Sequence, residues 1–136
     1  MLHVRDVAAS IRFYEKLGFD FIDAEGENGS IGWARVHCEG GALMFLQAEA
    51  GHRVNPADQG ILLILYTEDL PALRAHLIAQ GIECPEIEFP DYMPSGALTL
   101  RDPDGYCVGI NHWGQEEHDE WLQKLPARQS EWAKRS

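Results

Sequence analysis

Arg5-Asp6-Val7-Ala8-Ala9-Ser10-Ile11-Arg12-Phe13-Tyr14-Glu15-Lys16-Leu17-Gly18-Phe19 reads as one helix with both of its ends marked. Asp6 offers a side-chain oxygen to the unsatisfied N–H groups of a first turn. Val7, Ile11, Tyr14 and Leu17 recur at i, i+4, i+7 and i+10, which sets a single apolar face. Gly18 supplies the left-handed stop. Ahead of the helix, Met1 to Arg5 reads as a short strand. Behind it, Phe19 to Ala24 alternates apolar and acidic residues as a half-buried strand does, and the turn-rich Gly26 to Ser30 ends it. Ile31 to Cys38 and Ala42 to Ala48 then read as strands joined across Glu39-Gly40-Gly41.

The same plan follows a second time. Gly51 to Gly60, with its Pro, Asn and Asp, reads as a connection. Ile61 to Tyr66 is an apolar run of strand length, Asp69 is placed to cap a helix with Leu70, Leu73 and Leu77 inward, and Gly81 stops it. Asp69 follows Asp6 by the same 63 residues that separate Gly81 from Gly18. Gly32 and Gly41 are nine apart, and so are Gly96 and Gly105. A duplicated βαβββ unit accounts for all of this economically. The reading is one domain over residues 1–113, with modules at about 1–50 and 60–113, and a tail over 114–136. The tail carries a helix from Glu116 to Leu125 ended by Pro126, and its Trp121, Leu122 and Trp132 mark a face that docks on the domain itself or on a second subunit.

Composition limits the function. A chain of 136 residues with 45% hydrophobic residues supplies one sizeable core. With 11 basic against 22 acidic residues its formal charge is −11, opposite to what a phosphate backbone attracts, so nucleic acid is a poor partner. An acidic surface instead concentrates cationic small molecules. Cys38, Cys84 and Cys107 are odd in number and lack CxxC spacing, which argues against a disulfide framework or a cysteine-rich zinc site. The longest apolar run, Ile61 to Tyr66, is too short to cross a bilayer, and no signal-peptide pattern opens the chain, so a cytoplasmic location is expected without membrane association.

Two segments carry a family resemblance: the helix stretch quoted above and Asp102-Pro103-Asp104-Gly105-Tyr106. Together with the repeat they resemble the vicinal oxygen chelate superfamily of glyoxalases, bleomycin-resistance proteins and extradiol dioxygenases, and among these the pattern is most similar to bleomycin-resistance proteins. The fold this implies is α+β, two βαβββ modules forming a cupped mixed sheet with a cleft, and the family closes such clefts across a two-fold, which implies a homodimer. By their own chemistry both segments are structural, one a capped helix with a core aromatic and the other a tight hairpin. Metal enzymes of the superfamily take a His, Gln or Glu ligand from each of four strands. The resemblance places these positions ahead of Met1, at Leu46 (with Gln47 one residue on), at Leu62 and at Gly109. Hydrocarbon side chains and glycine offer no lone pair to a cation, so no closed metal site follows.

His37, His52, His76, His112 and His118 show no zincin spacing, and no GxSxG elbow, Cys-His neighbourhood or phosphate loop is present. Strand alternation instead turns apolar and aromatic surface toward the cleft: Trp33, Met44, Leu46, Leu62, Ile64, Tyr66, Tyr92, Asn111 and Trp113 are candidate ligand-binding residues, and the resemblance, aligned on Val4, adds His3. His3 is expected to contact ligand rather than metal. The expectation is a metal-free, cofactor-free binding protein for an aromatic or cationic small molecule. Its alternatives are a glyoxalase-type lyase or dioxygenase with an incomplete or subunit-completed metal site, or an interaction module using Trp121 and Trp132.

Overall fold

In the computed structural model, which describes residues 1–49 and 54–135, the local signals at both helix ends act as expected. Asp6 Oδ1 accepts from the Ala9 N–H at 3.1 Å at the start of α1 (Val7–Lys16), and Gly18 ends it at φ +96°. Asp69 Oδ1 accepts from the Ala72 N–H at 3.0 Å at the start of α2 (Leu70–Ala79), and Gly81 ends it at φ +82°. The full order adds β1 (Leu2–Val4), β2 (Asp20–Glu25), β3 (Trp33–Cys38), β4 (Gly41–Gln47), β5 (Leu62–Thr67), β6 (Ala97–Arg101), β7 (Cys107–His112) and α3 (Gln115–Arg135).

Two mixed sheets result, ordered β1-β4-β3-β2 and β5-β7-β6. In each, the first strand of the module runs parallel to the last, Leu2 facing Phe45 and Leu65 facing Ile110. The second module lacks a full counterpart of β2: among residues 82–96 one bridge, Glu88 to Ala97, pairs with β6. Pro85, Pro90 and Pro94 fall in this segment, and a proline has no N–H to give a ladder.

One face of each sheet packs into the core. Val4, Phe45, Ala34 and Val36 from the first sheet, Val108 and Ile110 from the second, and Tyr14 and Leu77 from the helices are buried. A polar clasp ties the modules together. The Tyr14 hydroxyl donates to Asp102 Oδ2 at 2.9 Å, the Tyr106 hydroxyl donates to the His3 carbonyl at 2.8 Å, and the backbone N–H and Nε of Arg5 both donate to Asp104 Oδ1. Asp102 Oδ1 accepts in turn from the N–H groups of Asp104 and Tyr106 at 2.9 Å each, which closes the Asp-Pro-Asp-Gly turn.

The tail departs from the sequence reading. Instead of ending at Leu125, α3 continues through Pro126 to Arg135. Proline removes one N–H and frees the carbonyl one turn back, at Leu122; no residue of this helix is buried, so water can take that carbonyl. The ion pairs Lys124–Glu120 and Arg135–Glu131 span successive turns on either side. Among the described residues no helix is long and apolar enough to cross a membrane.

Candidate functional site

The outward face of the first sheet follows from its pairings. His3 lies opposite Leu46, and Leu46 opposite Trp33, so these three share one face. Met44 lies opposite Arg35 on the same face and is 36% exposed. Arg35 forks onto Asp23 with bonds of 3.0 and 2.8 Å, and its guanidinium sits 6.0 Å from the centre of the Trp33 ring. The sequence reading passed over Arg35 and Asp23. Their signal was available, because Arg35 has the strand parity of Trp33 and a carboxylate on the neighbouring strand is its natural cross-strand partner.

On the second sheet the alternation is sharper. Leu63 and Leu65 pack on the core, whereas Leu62, Ile64 and Tyr66 are 57%, 43% and 60% exposed. Ile64 lies opposite Gly109 and covers it: a Cβ placed there would come within 2.9 Å of Ile64 Cδ1. Tyr66 lies opposite Asn111, which is nearly buried. An aromatic row then leaves the strand. Trp113 stands edge-on to Tyr66 with centroids 5.8 Å apart, Trp121 of α3 is edge-on to Trp113 at 6.4 Å, and the His118 ring lies 5.7 Å from Trp121. The first turn of α3 is latched to this sheet through Glu117. Its carboxylate accepts from the Gly114 N–H at 2.9 Å and pairs with His112 at 3.7 Å; a hydrogen bond from Ser95 does most to hold its titration below the usual range.

The candidates therefore fall into two groups. His3, Trp33, Met44 and Leu46 form one on the first sheet; Leu62, Ile64, Tyr66, Asn111 and Trp113 form another on the second. Tyr92 belongs to neither: it is 81% exposed and borders a separate cavity of about 240 Å³ with Glu86 and Glu88. Among the described residues no three His, Cys, Asp or Glu side chains converge as metal ligands, and His52 lies outside those residues. A cavity of about 510 Å³ lies apart from most of these candidates. It opens between the core-facing sides of the two modules, and of the candidates only Ile64 and Tyr66 reach its wall.

A pair of βα-begun modules, each a mixed sheet backed by one helix and clasped through an Asp-Pro-Asp-Gly hairpin, defines a class of two-module α+β domain rather than a particular chemistry. Residues 1–110 match the family model of the Glyoxalase/Bleomycin resistance protein/Dioxygenase superfamily, and the chain belongs to that superfamily. Solved structures share its fold. A bleomycin-binding protein complexed with bleomycin is 21% identical with a TM-score of 0.66, over 83% of this chain and 94% of that one. TnmS3, an antibiotic binding protein from Streptomyces sp. CB03234, is 22% identical with a TM-score of 0.65, over 83% and 91%. A lactoylglutathione lyase from Agrobacterium tumefaciens is 19% identical with a TM-score of 0.60, over 83% and 92%. No curated protein matches the sequence significantly.

Proposed function

We propose that this chain is a binding protein for a small aromatic or cationic molecule, acting without a resident metal as a cytoplasmic homodimer. The observation that carries the reading is the open row of Leu62, Ile64 and Tyr66 beside Trp113, on a strand whose other face is packed into the core. Such a patch on an acidic domain marks a site that something apolar covers. Aromatic rings there offer stacking surface, and Trp33 with the Asp23-neutralised Arg35 offers a second. A two-fold would set the first-sheet face of one copy against the second-sheet face of the other, so that the ligand is held between Trp33 and Trp113. The positions where metal enzymes of the superfamily resemble one another hold Leu46, Leu62 and Gly109, which favours binding over metal-assisted chemistry. Similarity in fold to a bleomycin-binding protein and to an antibiotic binding protein supports an antibiotic-like ligand.

The test is a fluorescence titration with metal-free bleomycin and with ethidium as a simpler aromatic cation, beside light scattering. The expected result is a dimer whose tryptophan emission is quenched on binding. Trp33→Ala or Trp113→Ala should weaken affinity by ~0.5–2 kcal/mol. Unchanged affinity in both variants, or a monomer at micromolar concentration, would overturn the reading.

A further inference from the structure

The two modules are built alike but are not joined alike. Between the Asp102–Tyr106 hairpin and α1 the space is filled by Tyr14, Ser10, Asp102, Asp104 and Tyr106, all buried. Internal symmetry demands an equivalent junction between the Cys38–Gly41 hairpin and α2. The helix caps Asp6 and Asp69 put Ser10 on Leu73 and Tyr14 on Leu77. Strand pairing fixes the hairpins: Ala34 and Leu98 lie opposite Phe45 and Ile110, which themselves occupy equivalent places. Counting along, Cys38 stands where Asp102 stands, and Gly41 stands where Tyr106 stands. At this second junction a carboxylate has become a thiol and a tyrosine has become a hydrogen atom.

The missing side chains leave space. The cavity of about 510 Å³ lies at this junction, walled by Cys38, Gly41, Leu17, Phe19, Leu65 and Leu73. It falls within the ~300–1,000 Å³ of small-molecule pockets. Not one of its lining residues is an Asp, Glu, Lys, Arg or His, although 24% of the chain is charged. A charged ligand would lose its hydration there with nothing to replace it. The space a tyrosine ring fills at one junction is open at the other, and a ring is what fits it.

We propose that the groove between the Cys38–Gly41 hairpin and α2 is a second binding site, which shares only Ile64 and Tyr66 with the outward sheet faces, for a neutral apolar molecule carrying an aromatic or alicyclic ring. It does not depend on the binding reading above. Gly41 provides the test, because a Cβ there meets nothing within 4 Å and its backbone is outside the left-handed region. Its parity with Leu43 and Phe45, which pack on the core, aims a side chain into the groove.

The full-length chain is titrated with N-phenyl-1-naphthylamine, a neutral two-ring fluorophore. Wild type should bind one per chain, saturably. Gly41→Tyr, which rebuilds the counterpart of Tyr106, should weaken binding by about tenfold or more without lowering the melting temperature, while Gly41→Ala binds as wild type. Absence of saturable binding in wild type or unaltered binding by a folded Gly41→Tyr would overturn the proposal. If Gly41→Tyr does not fold, alkylation by N-ethylmaleimide decides. Saturating probe should slow labelling of Cys38 by about fivefold or more, read by peptide mass spectrometry, with Cys84 and Cys107 unaffected. An unchanged Cys38 rate overturns it.

Discussion

Replacing Asp102 tests the clasp most directly. Asp102 is 5% exposed, and its carboxylate takes three bonds, from the Tyr14 hydroxyl and from the N–H groups of Asp104 and Tyr106. In Asp102→Ala all three donors lose their acceptor in a place water reaches poorly. At ~1–3 kcal/mol per orphaned donor the gross loss is ~3–9 kcal/mol. Part of this returns, because burial penalises the ionised carboxyl and, against the opposing hydrogen bonds, raises its titration above the usual range. A net loss of ~3 kcal/mol is expected, seen as a fall on the order of 10 °C in melting temperature. Asp102→Asn keeps an acceptor for the two N–H groups and should lose only ~1 kcal/mol. The pH dependence separates the ionic from the packing contribution. A group whose folded pKa is raised adds stability that is complete below its unfolded value and disappears as pH rises through the folded one. The wild-type advantage over Asp102→Asn should therefore widen as pH falls from about 7 toward about 4, because only the wild type takes up the proton. Urea melts across that range measure it. A loss below ~1 kcal/mol for Asp102→Ala, or a gap to Asp102→Asn that narrows on acidification, would refute the reasoning.

Gly105 has φ +80° and a Cβ there would lie 2.1 Å from the Pro56 carbonyl oxygen, whereas Gly18 at φ +96° has nothing within 4 Å. Gly105→Ala should thus cost ~3 kcal/mol or more and Gly18→Ala only ~1 kcal/mol in thermal or urea melts, and equal losses would count against the backbone contact. Elemental analysis of the purified protein should find far less than one divalent ion per chain, since Leu46, Leu62 and Gly109 occupy the ligand positions the superfamily resemblance indicates; near-equimolar metal that survives mild chelation would contradict it.

What could be read from the sequence was what is decided locally. A cap, a glycine stop and an apolar period are settled within one turn of chain, and α1 and α2 therefore lie where Asp6, Gly18, Asp69 and Gly81 put them. Strand parity was legible for a similar reason: Leu62 and Tyr66 are outward while Leu63 and Leu65 are inward, as alternation requires. The tail departs from its local signal because Pro126, a helix stop in a buried setting, leaves a carbonyl that an exposed helix can satisfy with solvent. Tyr92 was assigned to the cleft with no register to hold it there, since prolines around it leave one bridge in place of a strand.

The groove was hidden by a single residue of loop. Matching glycine to glycine in the sequence sets Gly41 on Gly105 and makes the hairpins look interchangeable. Backbone pairing sets Gly41 on Tyr106, because three residues separate the hydrogen-bonded Asp102 and Tyr106 whereas two separate the paired Cys38 and Gly41. That one-residue difference exchanges a buried tyrosine for empty space. Cys38 falls on Asp102 in either matching, so a thiol facing an apolar wall stands where a carboxylate holds the two modules together. If the symmetric clasp had been kept at both ends, both junctions would be solid and this groove would be closed to a ligand. The asymmetry therefore separates two capacities in one small domain: the clasped junction holds the modules in register, and the open one is free to bind.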